Sequence, residues 1–328
     1  MSIRIAGTGS YVPERILTNF DLEQMVETND EWIRTRTGIQ ERHLAAEGQA
    51  TSDMAYQAAL RAMEMAGITA GDLDAIVVAT ITPDHIFPNT ASLLQNRLGA
   101  GHAMCFDLSA ACSGLLYSLE VAHSLMIARK RFKHVLVIGA ETLSSITDWQ
   151  DRNTCVLFGD GAGAVILEND GTDGENTLLA ADLHADGNYT GVLNLPAGGS
   201  RNPATAETVA KRMHYIHMEG KETFKLAVNG MVSSSKAVLA EAGVDAAQVR
   251  LVVPHQANQR IIDAVAQRLD VEPEVVFSNI KSYGNTSAAS IGICLDEIVR
   301  KKMISRGDYL LLTAFGGGLT WGALLFRF

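Results

Sequence analysis

The sequence predicts an α/β protein built from two similar halves, and three observations point there. The segment AGITAGDLDAIVV (66–78) recurs as AGVDAAQVRLVVP (242–254), at a constant offset of 176 residues. On both sides of it, amphipathic helical stretches alternate with short apolar runs, the pattern of strands covered by helices on both faces. The 328 residues are 47% hydrophobic and 20% charged, with 29 Gly and 7 Pro, which suits a large packed core and tight turns and excludes a disordered chain.

The elements follow in order. SDMAYQAALRAMEM has helical periodicity and runs into a Gly, a short loop and the strand of the first copy; FKLAVNGMVSSSKAVLAE does the same before the second. After each strand comes a loop and a helix ending in Arg-Leu, ASLLQNRLG (91–99) and QRIIDAVAQRLD (259–270). CFDLSAACSG (105–114) and VFSNIKSYGNTS (276–287) each read as a short strand running into a helix. HVLVIGAE with FGDGAGAVIL (134–167), and DYLLLTAFGGGLTWGALLFRF (308–328), read as paired apolar strands. The polar, turn-rich NDGTDGENT (169–177) is the expected boundary, giving halves of 1–172 and 173–328, and 195–221, which has no counterpart, is expected to be an inserted cap.

A net charge of −10 argues against a nucleic-acid binder, because phosphate binding needs a basic surface. The four cysteines lack paired zinc-site spacing and are too few for a disulfide framework, so a reducing cytoplasm is expected. No secretory leader is read at the N-terminus, and no apolar run is read as approaching the 18 residues of a membrane span. GTG (7–9) and GDGAG (159–163) lack the following helix that a dinucleotide fingerprint needs. His214 and His217 have metal-pair spacing but no third ligand nearby, so no metal is expected.

In such folds ligands gather at the carboxyl ends of strands. Cys112 falls where a strand meets a helix, and the positive end of the helix dipole is expected to favour its thiolate. His255 follows the strand VRLVVP, and Asn285 opens the helix that matches the Cys112 helix. Each has a plainer reading, as a buried small residue, a structural hydrogen-bonder and an N-cap. The repeat favours the functional one, since it brings Cys112 and Asn285 to nearly equivalent places and His255 to the end of the strand matching Ala79. A thiol, an imidazole and an amide converging there suit acyl transfer.

With these residues in place, the chain resembles the β-ketoacyl-acyl carrier protein synthase III family, the initiating condensing enzymes of the thiolase superfamily. The likeness rests on DEWIRTRTGI (30–39), AACSG (110–114), FGDGAGA (158–164), HADG (184–187), VPHQAN (253–258), YGNTSAAS (283–290) and AFGGG (314–318), in order across the whole chain. It implies a thiolase-like duplicated fold, two pseudo-twofold-related βα halves layered α/β/α/β/α. It implies condensation of a short acyl-CoA, acetyl-CoA first among them, with malonyl-acyl carrier protein, with loss of carbon dioxide and no cofactor. A relative using the same three residues on another acceptor is the alternative.

The resemblance also assigns residues. Cys112, His255 and Asn285 are the catalytic set, with the backbone N–H groups of Cys112 and Gly317 as the oxyanion hole. Thr28, Trp32, Arg36, Arg152 and Asn258 bind coenzyme A, Trp32 and Arg152 by sandwiching the adenine. Phe87 walls the acyl pocket across a homodimer interface, and Arg260, Arg268 and Lys281 receive the acidic carrier protein. Three positions depart from the common pattern: Ser113 replaces Ala, Gly292 replaces Pro, and Ser282 stands where a basic residue is common.

Overall fold

The computed structural model describes residues 2–172 and 177–328. The first half contains β1 (Ile3–Tyr11), β2 (Arg15–Thr18), α1 (Asn19–Leu22), α2 (Asp30–Thr37), β3 (Glu41–Leu44), α3 (Thr51–Ala66), β4 (Ala75–Ala79), α4 (Thr90–Leu98) and β5 (Met104–Leu108). It continues through α5 (Gly114–Ala128), β6 (His134–Glu141), α6 (Arg152–Cys155) and β7 (Gly161–Asn169). The second half runs β8 (Leu178–Ala185), β9 (Leu193–Asn194), α7 (Ala206–Ala210), β10 (His217–Met218), α8 (Gly220–Ala242), β11 (Val249–Pro254) and α9 (Gln259–Leu269). It ends with α10 (Ile280–Tyr283), α11 (Ala289–Arg300), β12 (Tyr309–Gly316) and β13 (Thr320–Arg327).

The duplication is written into the strand order. The first sheet runs β1-β7-β6-β4-β5 and the second β8-β13-β12-β11, so every strand of the second has its counterpart in the same place. The helices before the repeated strands end alike, α3 at Gly67 and α8 at Gly243, both left-handed and both releasing the chain toward its strand. The fifth position of the second sheet departs from expectation. The strand anticipated at 276 is a single parallel bridge between Val252 and Val276. The Gln256 side-chain oxygen accepts from the Ser278 hydroxyl and from the backbone N–H groups of Asn279 and Ile280, and so turns the chain into α10 before a strand can extend.

Three apolar clusters stack the layers. One packs α3 and α4 on the outer face of the first sheet. Another packs α8 and α9 on the outer face of the second. Between the sheets lies the largest, with Leu115, Leu116 and Leu119 of α5 and Ile291, Leu295 and Ile298 of α11 against Val77, Val137, Leu251 and Leu312. The expected duplicated α/β/α/β/α fold is therefore the observed one. The central position of α5 explains a feature missed in the sequence. Ala111–Ala128 is long and apolar enough to cross a membrane despite Glu120, but it is a core segment held between two sheets.

The expected division at 172–173 falls at residues 173–176, which lie outside the described residues. Within 195–221, the short α7 is enclosed by β9 and β10, which pair antiparallel, and the last two residues already belong to α8.

The two halves meet at close backbone contacts. Gly163 on β7 faces Gly292 on α11, and a Cβ at Gly292 would lie 2.8 Å from the Gly163 Cα. Gly292 is thus explained by its neighbour. Gly163→Ala should destabilise the protein by about 3 kcal/mol, since backbone rather than a flexible side chain would have to move. Gly101→Ala, with nothing near the added methyl, should leave the urea midpoint within error. Equal midpoints for the two variants would contradict this account of the contact.

Candidate active site

Two sharp turns of the same shape stand at the junction of the halves. Ala111 has φ +46° and Ser287 has φ +47°, both non-glycine residues in the left-handed region, and they are separated by the repeat offset. Such a conformation costs about 1–3 kcal/mol and persists only where surrounding structure enforces it. The first turn presents Cys112 just before α5. By the same register the mate of Cys112 is Ala288, and Asn285 lies three residues earlier, so the expected near-equivalence of Cys112 and Asn285 is corrected by that amount.

Each turn is held by the opposite half. A Cβ on Gly316, at the end of β12, would lie 2.6 Å from the Cys112 nitrogen. A Cβ on Gly139 of β6 would collide with the Ala288 carbonyl oxygen. Side chains tighten the first of these contacts. The Thr320 hydroxyl donates to the Ala110 carbonyl at 2.8 Å, and the Ser113 hydroxyl donates to the Thr320 carbonyl at 3.2 Å. Ser113, where Ala is common, is therefore a tether between the nucleophile turn and the β12–β13 hairpin that carries Gly317.

Cys112, His255 and Asn285 line one cavity of about 540 Å³, together with Trp32, Arg36 and Asn258 near its mouth. Cys112 also lines a second cavity of about 330 Å³, walled by Ile81, Leu143, Ile146 and Ile216 and bordered by Gly317. The thiol thus stands where a polar-mouthed tunnel meets an apolar chamber. Among the described residues the Gly317 backbone N–H has no acceptor and that of Cys112 meets only its own sulfur, and both residues border the second cavity.

The protonation states follow from burial. His255 is 2% exposed, and burial pushes its imidazole down to about 3, so it is neutral. Its Nδ1 lies 2.7 Å from the Ser290 hydroxyl. That hydroxyl oxygen already faces the Gln256 N–H at 3.5 Å, so its own proton is free to go to Nδ1. Nε2 then carries the ring proton, and His255 is a donor toward the cavity. Asn285 is fixed the same way. Its Oδ1 accepts from the Ser287 N–H at 2.9 Å, which leaves the Nδ2 donors for substrate. Its backbone is tied to Leu157 and Gly159 at 2.9 and 3.0 Å, which is what FGDGAGA does at this end.

Cys112 corrects an expectation. Burial pushes the thiol up to about 12, against the favourable pull of the Ser287 hydroxyl and its own backbone N–H. At rest Cys112 is a thiol. The carboxyl of Glu141, wholly buried, is a further neighbour that raises it. Glu141 is itself pushed up to about 7 by burial, although its Oε2 accepts from Thr80, Thr82 and the Ile81 N–H.

The outer residues divide. Arg36 and Arg152 both lie over the Trp32 ring, at 4.9 and 4.8 Å from its centroid, and Arg152 donates to the Glu27 carbonyl. The expected slot between Trp32 and Arg152 is closed, because the cation occupies the ring face that a base would take. Thr28 lines neither cavity, but its hydroxyl is buried and unpartnered. Asn258 caps α9 through its oxygen, leaving its amide free. Arg260 reaches the mouth and Lys221, not singled out in the sequence, joins it there; Arg268 is tied to Asn229, and Lys281 lines neither cavity. Phe87 is 85% exposed and lines neither cavity of its own subunit, because its loop projects from the surface beside the equally bare Ile86. Among the described residues no cluster of three or more His, Cys, Asp and Glu side chains could hold a metal.

A duplicated α/β fold with a cysteine at a strained strand–helix turn, facing an imidazole and an amide from the other half, defines a condensing enzyme of the thiolase type. Comparison with known proteins narrows this. Residues 106–187 match the model of 3-oxoacyl-[acyl-carrier-protein (ACP)] synthase III, and residues 239–328 match that of its C-terminal part. The chain is 51% identical over 327 residues to the β-ketoacyl-[acyl-carrier-protein] synthase III of Desulfitobacterium hafniense, covering 100% of this chain and 98% of that protein. It is 52% identical over 323 residues to that of Caldanaerobacter subterraneus, covering 98% and 97%. The crystal structure of 3-oxoacyl-[acyl-carrier-protein] synthase III from Aquifex aeolicus superposes with a TM-score of 0.91 at 48% identity, covering 100% of both chains. The chain belongs to the β-ketoacyl-acyl carrier protein synthase III family.

The Ser290 contact generates a prediction. Ser290→Ala should free His255 to take its other tautomer and slow the decarboxylating half-reaction about fivefold, the worth of one hydrogen bond of roughly 1 kcal/mol. Acetylation of Cys112 should change less than twofold. Equal loss in both half-reactions, or in neither, would refute the assignment of Ser290 as the residue that sets the tautomer.

Proposed function

We propose that the chain condenses a short acyl-CoA with malonyl-acyl carrier protein to give a 3-ketoacyl-acyl carrier protein, the step that initiates fatty-acid synthesis. The observation that carries this reading is Cys112 at the meeting point of two cavities, with the donors of His255 and Asn285 in the larger one. The Cys112 sulfur attacks the acyl thioester carbonyl as it gives up its proton, and that proton leaves on the coenzyme A sulfur. The oxyanion accepts from the backbone N–H groups of Cys112 and Gly317, and the bond to the coenzyme A sulfur breaks. The acyl group then rests in the apolar chamber, and coenzyme A leaves through the tunnel.

Malonyl-carrier protein enters by the same tunnel. The bond to its carboxylate breaks, carbon dioxide departs, and the electron pair moves onto the thioester as an enolate. His255 Nε2–H and Asn285 Nδ2–H donate to the enolate oxygen. The α-carbon attacks the acyl carbonyl, and Cys112 leaves as thiolate and regains a proton. Every group that these steps need is a side chain or backbone donor of the chain itself.

At the mouth, Arg36 pairs with phosphate and the Asn258 amide meets the pantetheine arm. Arg152 swings off Trp32 to admit the adenine, and Thr28 lies within that same neighbourhood. Arg260, Lys221, Lys281 and Arg268 offer positive charge to the acidic carrier protein. A homodimer is favoured by β5, an edge strand with Met104, Phe106 and Leu108 half-buried, and by the bare Ile86 and Phe87. In it, Phe87 would complete the partner's acyl chamber. The four thiols are free, as suits the cytoplasm.

Mass spectrometry after incubation with acetyl-CoA should find acetyl on the peptide containing Cys112; label on Cys105, Cys155 or Cys294 instead would refute the nucleophile. Asn285→Ala should still accept acetyl, while releasing carbon dioxide from malonyl-carrier protein ~10²–10³-fold more slowly. An enzyme that loses acylation and decarboxylates normally would reverse the division of labour. Sedimentation should give about twice 35.2 kDa, and a clean monomer would remove the role of Phe87 across the interface.

A further inference from the structure

The second strained turn has no evident task in these steps, yet the chain maintains it. Ser287 sits at its left-handed residue, where glycine or asparagine is held at less cost. It is 1% exposed, lines the acyl chamber beside Cys112, and its hydroxyl has no hydrogen-bond partner. Glu141 Oε1 is also buried and unpartnered, whereas Oε2 takes all three of the carboxyl's donors. Two orphaned polar atoms beside one thiol are costly, and such groups call for an explanation. The Ser287 hydroxyl is near enough to favour the ionised form of both Cys112 and Glu141, though it is aligned with neither at rest.

We propose that Ser287 is a positioning residue for the nucleophile, whose O–H turns to donate to the Cys112 sulfur as negative charge develops there. Glu141 Oε1 is the other acceptor within its arc. The serine proton stays on its oxygen throughout, and no bond to Ser287 forms. The turn's geometry supplies the reason for the strain. The left-handed backbone at 287 holds the residue in the chamber wall beside Cys112 and the Ala111 turn. The inference rests on Cys112 being the residue that accepts the acyl group.

The test measures the rate of iodoacetamide alkylation of full-length protein between pH 6 and 10, with the modified peptide mapped, for the natural chain, Ser287→Ala and Ser287→Gly. Losing a donor to the anion raises the thiol pKa. The whole window lies below the thiol's midpoint, so alkylation rises with pH throughout it, and both variants should run about tenfold slower at every pH, the equivalent of one pH unit. Glycine is at ease at a positive φ, so Ser287→Gly should melt no lower than the natural chain while its thiol stays slow. A structural role for the turn makes the opposite forecast, since glycine would then restore the natural profile. That restoration, or an unchanged rate in either variant with label on Cys112, overturns the role of Ser287 alone. Label on another cysteine of the natural chain overturns the nucleophile and this inference with it. Should Ser287→Ala fail to fold, the glycine variant decides.

Discussion

The reciprocal backbone contact at the pseudo-twofold axis sets the geometry of everything else. β12 of the second half lies on the Cys112 turn through Gly316, and β6 of the first half lies on the Ala288 turn through Gly139. Gly114, just after Cys112, closes the same junction, since a Cβ there would lie 3.0 Å from the Ala79 Cβ and 3.5 Å from the Ala288 Cβ. The two turns are thus each other's support. Neither half can hold its own turn in a strained conformation, because the restraining atoms belong to its mate. The apolar layer of α5 and α11 fixes the sheets at the spacing that makes this contact possible.

That architecture also determines the electrostatics. A site assembled at the centre of five layers is buried, and burial disfavours charge. His255 is neutral and Cys112 is a thiol, while Glu141 is pushed toward its neutral form. The resting site therefore carries little charge, and on the proposed mechanism charge appears during reaction, on the thioester oxygens and on the Cys112 sulfur. Donors already aimed at those atoms act without competition from water. Ser290 and the Ser287 N–H matter for this reason, since they settle which way the imidazole and the amide present their protons.

The duplicated fold was legible because burial on both faces leaves long apolar runs, and because a 176-residue offset repeats helix, turn and strand together. That Cys112, His255 and Asn285 share one cavity was legible because the repeat brings them to matching ends of the two halves. What could not be read depends on atoms far apart in sequence. Ser290 reaches His255 across 35 residues, and Ser113 reaches Thr320 across 207. The fifth strand of the second half was misjudged because Val276 and Phe277 look like strand residues, while the Gln256 side chain that ends the strand lies in another segment. The thiol was misjudged because a helix end is visible in sequence and burial is not. One signal was available and missed. Ser287 follows Ala111 by the repeat offset, so the second turn could have been found by applying the register residue by residue.

The two cavities give the order of events a physical basis. Cys112 is 8% exposed and borders both, so an acyl group bonded to its sulfur has the apolar chamber beside it, lined by Ile81, Leu143 and Ile216. Moving there removes it from the tunnel and from water at once, a gain of about 25 cal/mol for each Å² of apolar surface buried. The tunnel is then empty, with the His255 and Asn285 donors facing it. On the proposed mechanism both thioester arms use the passage past Trp32 and Asn258, so the first must leave before the second enters. Ping-pong order thus follows from one passage serving two substrates and one chamber storing the product of the first. On that mechanism His255 and Asn285, which line the tunnel and not the chamber, stand where malonyl-carrier protein must be held for its α-carbon to reach the stored acyl group.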